Sequence, residues 1–185
     1  MKPFNPKPRP CSHCAKPFVP VRSMQSVCSP RCAAQKVKKQ KAEERAQVKT
    51  RKEAIKTIPQ LIKEAQVEFN AYIRARDHHQ PCICCGRPLG DGDVGGAFDC
   101  GHYRSTGSAS HLRFNEHNAH AQRKQCNRWG AGRAVDYRIG LIARIGLEAV
   151  EALESNNTPH KWTREELIEI RNTYRQKTKE LQRGH

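Results

Sequence analysis

The sequence predicts an α+β protein made of small modules that clusters of cysteines hold together. Three observations lead to this fold class. Hydrophobic residues make up 36% of the 185-residue chain and charged residues 28%, which leaves too little apolar surface for one large core. Nine cysteines occur mostly in closely spaced groups. Runs with helical periodicity separate these groups, and strand candidates lie between them.

The first module, residues 1–34, is predicted to be a zinc finger. Its ligands are a CxxC pair and a CxxxC pair: Cys11, Cys14, Cys28 and Cys32. Four thiolates at such spacings are typical of structural zinc. The opening MKPFNPKPRP lacks the apolar segment of a secretory signal, so we expect a cytoplasmic protein with metal ligands rather than disulfides. Such a finger could bind DNA, bind protein or simply fold.

The second module, residues 35–57, is predicted to be a basic helical linker. Residues 36–56 contain nine Lys or Arg and three Glu, a net charge of +6. The segment is either an exposed helix or a partly disordered spacer, and Lys36, Lys38 and Lys39 could lie along DNA. The whole chain carries +16, which favours a polyanionic partner. A membrane surface is the competing polyanion, but no apolar run approaches the roughly 20 residues of a spanning helix.

The third module, residues 58–133, contains the residues that could carry chemistry. An amphipathic helix with Pro59 in its first turn leads into CICC at 82–85. A turn-rich loop at 90–96 precedes a strand at 98–103, and the Ser-, Thr- and Gly-rich stretch 104–111 is either a phosphate-contacting loop or a plain connection. His102 lies within the strand, where a fixed backbone could aim its imidazole as a general base. Otherwise it is an ordinary surface or core histidine.

The last module, residues 134–185, is predicted to be a helical hairpin. Val135, Ile139 and Ile142 begin an apolar stripe that continues to Leu153. After a break at 155–160, Thr163 and Glu166 form a capping-box pattern that opens the final helix. The two helices are expected to pair, either to buttress the third module or to form a homodimer.

Motifs spread over the chain resemble a known family. They are GHYRS, LRFNEHNAH, QxxxCN, RIGLEAVEALESN and HKWTREEL. Together they are similar to the NinG (Rap) family of lambdoid-phage recombination endonucleases, which has an HNH (ββα-metal) nuclease core. The resemblance implies a structure-specific DNA endonuclease that cuts branched DNA such as D-loops and Holliday junctions. It also implies Mg²⁺ or Mn²⁺, the cytoplasm of the infected host, and other phage recombination proteins as partners.

The resemblance also assigns roles to residues of the third module. His102 would be the general base, Asn118 would brace the hairpin, and Asn127 would be a metal ligand or, alternatively, an ordinary helix N-cap. Asp99 and His120 are further candidate ligands of the catalytic metal. On an ideal strand Asp99 faces away from His102, so a bulge near Gly101 would be needed to bring both to one ion. The candidate DNA contacts in this module are Arg104, Arg113, Arg123 and Lys124.

The chain departs from the family pattern at three positions. The family usually reads QCxxCN, whereas Arg123 stands here in place of the first cysteine. A second zinc would use Cys82, Cys85 and Cys126 with a replacement, either Cys100 or Cys84, with His117 a weaker candidate; otherwise the site holds no metal. Gly101 stands where an acid often precedes the base. Arg133 stands where an asparagine is common.

Two other functions remain open at this point. The chain could be a non-catalytic zinc-finger DNA-binding or recombination adaptor with a decayed nuclease core, as the departures at Gly101 and Arg123 suggest. It could also bind RNA, because a basic surface and a Cys₄ finger do not distinguish nucleic acids.

Overall fold

The computed structural model describes residues 6–90 and 98–183. The contacts within the chain divide it into two units, Met1–Lys56 and Thr57–His185. Except for Gly90, the predicted turn-rich loop at 90–96 lies outside the described residues.

The N-terminal unit consists of a small hairpin and one long helix. Strands β1 (Arg9–Pro10) and β2 (Pro17–Phe18) pair antiparallel around the first cysteine pair. Helix α1 (Pro30–Ala54) begins after Ser29, whose hydroxyl accepts a hydrogen bond from the backbone N–H of Cys32. The helix therefore starts inside the finger and continues through the basic segment. No residue of α1 is buried, so of the two predicted alternatives the exposed helix is the one found.

The larger unit is built on the pairing of two distant helices. Helix α2 (Ile58–Arg76) starts with a capping box between Thr57 and Gln60 and buries the predicted apolar stripe. Helix α5 (Arg164–Arg183) packs along α2, and Leu167 and Tyr174 are buried between them. These two helices form one apolar cluster of this unit, and Tyr137, Leu141 and Val150 of α3 and α4 belong to a second.

The predicted C-terminal helical hairpin is wrong. The first of its two helices is interrupted, giving α3 (Ala134–Ile145) and α4 (Leu147–Ser155). The interruption falls at Gly146, which has φ 85°, a conformation that glycine adopts without the steric cost of a Cβ. The last helix, α5, packs mainly against α2, because the stripe of α2 offers it an extended apolar surface.

A two-stranded antiparallel sheet lies against α2. Strand β3 (Phe98–His102) pairs with β4 (Ala119–Arg123), with Phe98 opposite Arg123 and His102 opposite Ala119. A single π-helical turn, Gln125–Trp129, follows β4 and leads through a short 3₁₀ turn into α3. Helix α3 approaches the CICC segment closely, since a Cβ on Gly140 would lie 1.7 Å from the Ile83 carbonyl oxygen.

None of the helices in the described part of the chain is long and apolar enough to cross a membrane.

Candidate functional site

The four cysteines of the N-terminal unit come together as a metal-binding group. Their sulfur atoms all lie within 4.8 Å of one another, with Cys14 and Cys28 3.7 Å apart and Cys28 and Cys32 3.5 Å apart. A tetrahedral ion with Zn–S bonds of about 2.3 Å requires sulfur separations of about 3.8 Å. The spacing of the thiols therefore fits a zinc ion.

Backbone donors prepare one of these thiols for metal binding. The backbone N–H groups of Cys14 and His13 lower the pKa of Cys11 to about 6, against the opposing effect of burial. The pKa of Cys28 is raised to about 12, chiefly because its thiol shares a hydrogen bond with Cys32. A bound cation would favour the thiolate at every one of these positions.

A second group of four thiols forms where the CICC segment meets β4. Cys82, Cys84, Cys85 and Cys126 place their sulfur atoms within 4.8 Å of one another, and Cys82 and Cys84 are 3.5 Å apart. Burial works against the Cys82 thiolate, but the backbone N–H groups of Arg123, Cys85 and Cys84 lower its pKa to about 7. This group also fits a structural zinc ion.

Of the two cysteines predicted as alternatives, Cys84 is the fourth member of the second group, and the prediction of Cys100 as a ligand is wrong. Cys100 lies on β3 and packs against the apolar cluster between α2 and α5. Its sulfur atom is not among those close enough to share an ion with Cys82, Cys85 and Cys126. His117, the weaker candidate, is not part of the group either. Four thiols therefore come together at this site without a cysteine at position 123.

His102 is held in one tautomer by a backbone carbonyl. Its Nε2 lies 3.0 Å from the carbonyl oxygen of Arg113. A carbonyl can only accept, so Nε2 donates and Nδ1 keeps a free lone pair. Burial, including the ring of Phe69 at 6.0 Å, lowers the pKa of His102 below its ordinary 6.5. The imidazole is therefore neutral at neutral pH and able to accept a proton.

Asn118 ties the loop after β3 to the start of β4. Its side-chain oxygen accepts from the backbone N–H of Arg104 at 2.8 Å. Its amide nitrogen donates to the carbonyls of Arg104 at 3.0 Å and Leu112 at 3.2 Å. The side chain is fully buried. All its polar atoms are used within the hairpin, so Asn118 acts by positioning its neighbours.

Asp99 and Asn127 meet on the other side of the sheet. The amide nitrogen of Asn127 lies 3.3 Å from a carboxylate oxygen of Asp99, and Arg128 donates to both oxygens at 2.7 and 3.0 Å. Although burial opposes it, this pairing lowers the pKa of Asp99, which is ionised. The pairing of β3 with β4 runs unbroken from Phe98 to His102, so the bulge that would bring Asp99 and His102 to one face is not there.

His120 is engaged in a buried charged network. Its Nδ1 lies 3.3 Å from Asp77 and 3.0 Å from the guanidinium of Arg76, and its Nε2 lies 3.2 Å from the carbonyl oxygen of His117. Arg144 adds a second cation 3.6 Å from Asp77. Both ring nitrogens are occupied, so the structure does not present His120 as a metal ligand.

Within residues 6–90 and 98–183, the two thiol groups are the only sets of three or more His, Cys, Asp or Glu side chains close enough to share an ion. The sequence-predicted residues of the nuclease site are therefore divided between three places. His102 lies against α2, Asp99 and Asn127 lie beside the π-helical turn, and His120 lies in the Asp77 network.

The predicted DNA contacts fall into two kinds. The guanidinium of Arg104 donates to the carbonyl oxygens of Leu153 and Asn156 at the end of α4. The guanidinium of Arg113 donates to Gln66 and to the carbonyl of Thr106. Both are turned into the protein. The others are exposed or half-buried at the surface: Lys36, Lys38, Lys39, Arg123 and Lys124.

Sequence reasoning missed three residues that shape this region. Asp77 and its partners carry no local motif, since α2 and β4 are far apart in the chain. Arg128 follows Asn127 directly, but only the register of β3 shows that it reaches Asp99. Trp129 could have been identified from the sequence, because a tryptophan in a basic segment is a signal for nucleic-acid contact.

The fold and the thiol groups define a small α+β protein with two candidate zinc sites. The chain belongs to the NinG family, because the family model described as "Bacteriophage Lambda NinG protein" matches residues 3–184. It is 41% identical over 187 residues to protein ninG of Escherichia phage lambda, covering 91% of this chain and 89% of that protein. It is 40% identical over 187 residues to protein ninG of Salmonella phage P22, covering 91% and 90%.

Protein ninG of Escherichia phage 933W is a further relative, 38% identical over 195 residues with 95% of this chain and 94% of the relative covered. No solved structure matches the chain significantly.

Proposed function

We propose that this NinG-family chain is a divalent-metal-dependent endonuclease that cuts branched DNA intermediates of phage recombination, such as D-loops and Holliday junctions, in the host cytoplasm. The observation that carries the proposal is the state of His102. A neutral histidine with its Nδ1 lone pair free, fixed on a hairpin that a helical turn follows, is the general base that an HNH-like nuclease requires.

His102 takes the proton from the attacking water in this mechanism. Its Nε2–H stays on the carbonyl of Arg113, which fixes the ring while Nδ1 accepts the proton. Asn118 holds the adjacent Leu112 carbonyl and so keeps the supporting loop in place. It is a positioning residue rather than a catalytic one.

The oxygen atoms of Asp99 and Asn127 are the donors that suit Mg²⁺ or Mn²⁺. Their side chains already touch, but Arg128 takes both carboxylate oxygens of Asp99. The side chain of Arg128 is 57% exposed, so it can swing away when a cation takes its place. A divalent cation bound there would lie on the face of the sheet opposite His102, so it would offset the negative charge of bound DNA rather than act at the phosphate that the water activated by His102 attacks.

The two thiol groups serve the fold in this proposal. Zinc at the second group would fix the CICC segment to the end of β4 and to the π-helical turn, and so would fix Asn127, which follows Cys126. Zinc at the first would hold the β1–β2 hairpin on the start of α1. Neither site has an open position for chemistry once four thiolates bind.

The proposal is tested by cleavage of end-labelled D-loop, Holliday junction, linear duplex and single-stranded RNA in Mg²⁺, Mn²⁺ or Ca²⁺. We expect metal-dependent cutting of the branched DNAs, and a loss of roughly 10²- to 10⁴-fold in rate for His102→Ala. DNA binding in Ca²⁺ should be unchanged. His117→Ala is the matched control. Because His117 is exposed, this variant should cut the DNA at the normal rate. Normal cleavage by His102→Ala would overturn the assignment of the base.

The alternative function is a non-catalytic zinc-finger adaptor that binds recombination DNA. The observation in its favour is the Arg128–Asp99 pair, which occupies the carboxylate with the protein's own cation. Binding of branched DNA without cutting in either Mg²⁺ or Mn²⁺ would establish this alternative.

A further inference from the structure

A pocket lies beside the second thiol group. It has a volume of about 580 Å³, and its walls include Cys84, Cys85 and Cys126 together with Arg87, Arg123 and Trp129. Sites for small ligands and single nucleotides fall in the range of about 300 to 1,000 Å³. The volume of the pocket falls in this range, and part of it belongs to the thiol group, because three of the lining cysteines are members of that group.

Trp129 presents an unused aromatic ring at this pocket. It is 83% exposed, although tryptophan is usually largely buried. The π-helical turn Gln125–Trp129 carries it, and the same turn contributes Cys126 to the thiol group. Single π-helical turns are frequent at functional sites. The ring is therefore held at the surface by an anchored turn and has an open face on which a base could stack.

Arginines supply the charge of the pocket. Arg87 and Arg133 are exposed, and Arg123 is half-buried. Among the lining side chains that the structure describes, Asp136 is the one acidic residue, and it lies 3.7 Å from Arg133 in a pair that is about half exposed. Such a pair is weak, so the guanidinium groups remain able to take a phosphate. Arg133 also has φ 48°, an uncommon conformation for a residue with a Cβ, and such residues concentrate at ligand sites.

We infer that this pocket binds an unpaired nucleotide at the branch point of a DNA substrate, with the base stacked on Trp129 and the flanking phosphates on Arg87, Arg123 and Arg133. The inference rests on the proposed function, and it explains how the protein would select branched DNA over linear duplex. A linear duplex keeps its bases stacked within the helix, whereas a branch offers a base that can leave the stack. Selection of branched DNA then follows from what the pocket can accept.

A competing role for the arginines is charge balance. Four thiolates around one zinc ion carry a net charge of −2, and nearby cations would offset it. In that case replacing an arginine would weaken zinc binding and leave DNA binding unaltered. Measuring both the zinc content and the DNA binding of the same arginine variants separates the two roles.

The test uses the full chain in Ca²⁺ without Mg²⁺, so that binding is measured without cleavage. The probes are a duplex with an unpaired oligothymidine flap and the same duplex fully paired. Trp129→Ala should weaken flap binding roughly tenfold and fully paired binding little, with Trp129→Phe retaining most of the affinity. Val135→Ala, which alters another exposed apolar residue, is the matched control and should bind both probes normally.

A fluorescence measurement reports the stacking itself. Trp162→Phe leaves Trp129 as the only tryptophan, and phenylalanine can keep the edge contact of Trp162 with Phe114. The flap should quench the emission of this protein, and the paired duplex should not. Equal losses on both probes for Trp129→Ala, or no quenching by the flap, would overturn the inference. His102→Ala should lose cleavage but keep the quenching, so the pocket and the nuclease proposal can fail separately.

Discussion

At His102, burial and a hydrogen bond act on the imidazole in opposite directions. The carbonyl of Arg113 favours the protonated ring, while burial favours the neutral ring, and burial prevails. The carbonyl still decides which nitrogen carries the hydrogen. The loop that supplies this carbonyl is held by the fully buried Asn118, so the tautomer of His102 depends on a side chain from the start of the next strand.

The second thiol group allows a prediction at the scale of single residues, because Cys84 and Cys100 were both candidates for its fourth ligand. Cys84→Ser should lower the zinc content of the purified protein from about two ions per chain to about one, since three thiolates and a hydroxyl bind zinc more weakly than four thiolates. Cys100→Ser is the matched control and should retain about two ions. Zinc is measured by elemental analysis after dialysis. Loss of zinc from Cys100→Ser with retention in Cys84→Ser would contradict the ligand set.

The sequence identified most of these ligands but could not choose between Cys84 and Cys100. CxxC spacing marks Cys82 and Cys85 through local chain geometry alone. The fourth ligand depends on the turn at 82–85 and on which face of β3 packs against α2, and both are tertiary facts. The same holds for Arg104, whose guanidinium could be assigned to the end of α4 only after the fold was known.

At the scale of elements, the contact between α2 and α5 stabilises the larger unit. Polar side chains at one end reinforce their apolar contact. Glu116 accepts hydrogen bonds from Lys177 at 2.6 Å, Tyr72 at 3.0 Å and Tyr174 at 3.3 Å, which joins both helices to the turn before β4. The last helix thus supports the hairpin that carries His102, although it is distant in sequence.

We predict that Leu167→Ala lowers the free energy of unfolding by about 2 to 5 kcal/mol, because it leaves a cavity between α2 and α5. Leu167 is fully buried there. Leu147→Ala makes the same chemical change at a residue that is 49% exposed, and it should cost far less. Urea unfolding followed by circular dichroism measures both. Equal costs for the two variants would show that α5 does not carry the core.

Helical periodicity predicted that α2 is amphipathic but not that α5 covers its apolar face. A stripe of apolar residues shows that a face is covered without showing what covers it. The two C-terminal helices are adjacent in sequence, which favoured a hairpin. Gly146 breaks the first of them, and α5 is matched instead to the long stripe that begins at Leu61.

At the scale of the whole molecule, the charge is unevenly distributed along the chain. Residues 36–56 carry +6 of the total of +16, and all of them except the last two lie on α1, a helix without buried residues. A helix that contributes nothing to a core has no packing reason to be this basic. Contact with a nucleic-acid backbone would explain both its charge and its exposure, and the alternative prediction is a solvated spacer.

Replacing Lys36, Lys38 and Lys39 together with glutamine tests this contact. Each phosphate contact contributes about 0.9 to the slope of log affinity against log salt, so three contacts predict a slope smaller by roughly 2 to 3 on branched and linear DNA alike. The matched control replaces Lys63, Lys161 and Lys179, which are also exposed and change the net charge equally. Binding isotherms over a range of KCl concentrations give both slopes. If only the first triple replacement lowers the slope, α1 contacts the DNA backbone. If both triple replacements lower the slope equally, only the total charge matters and α1 is a solvated spacer.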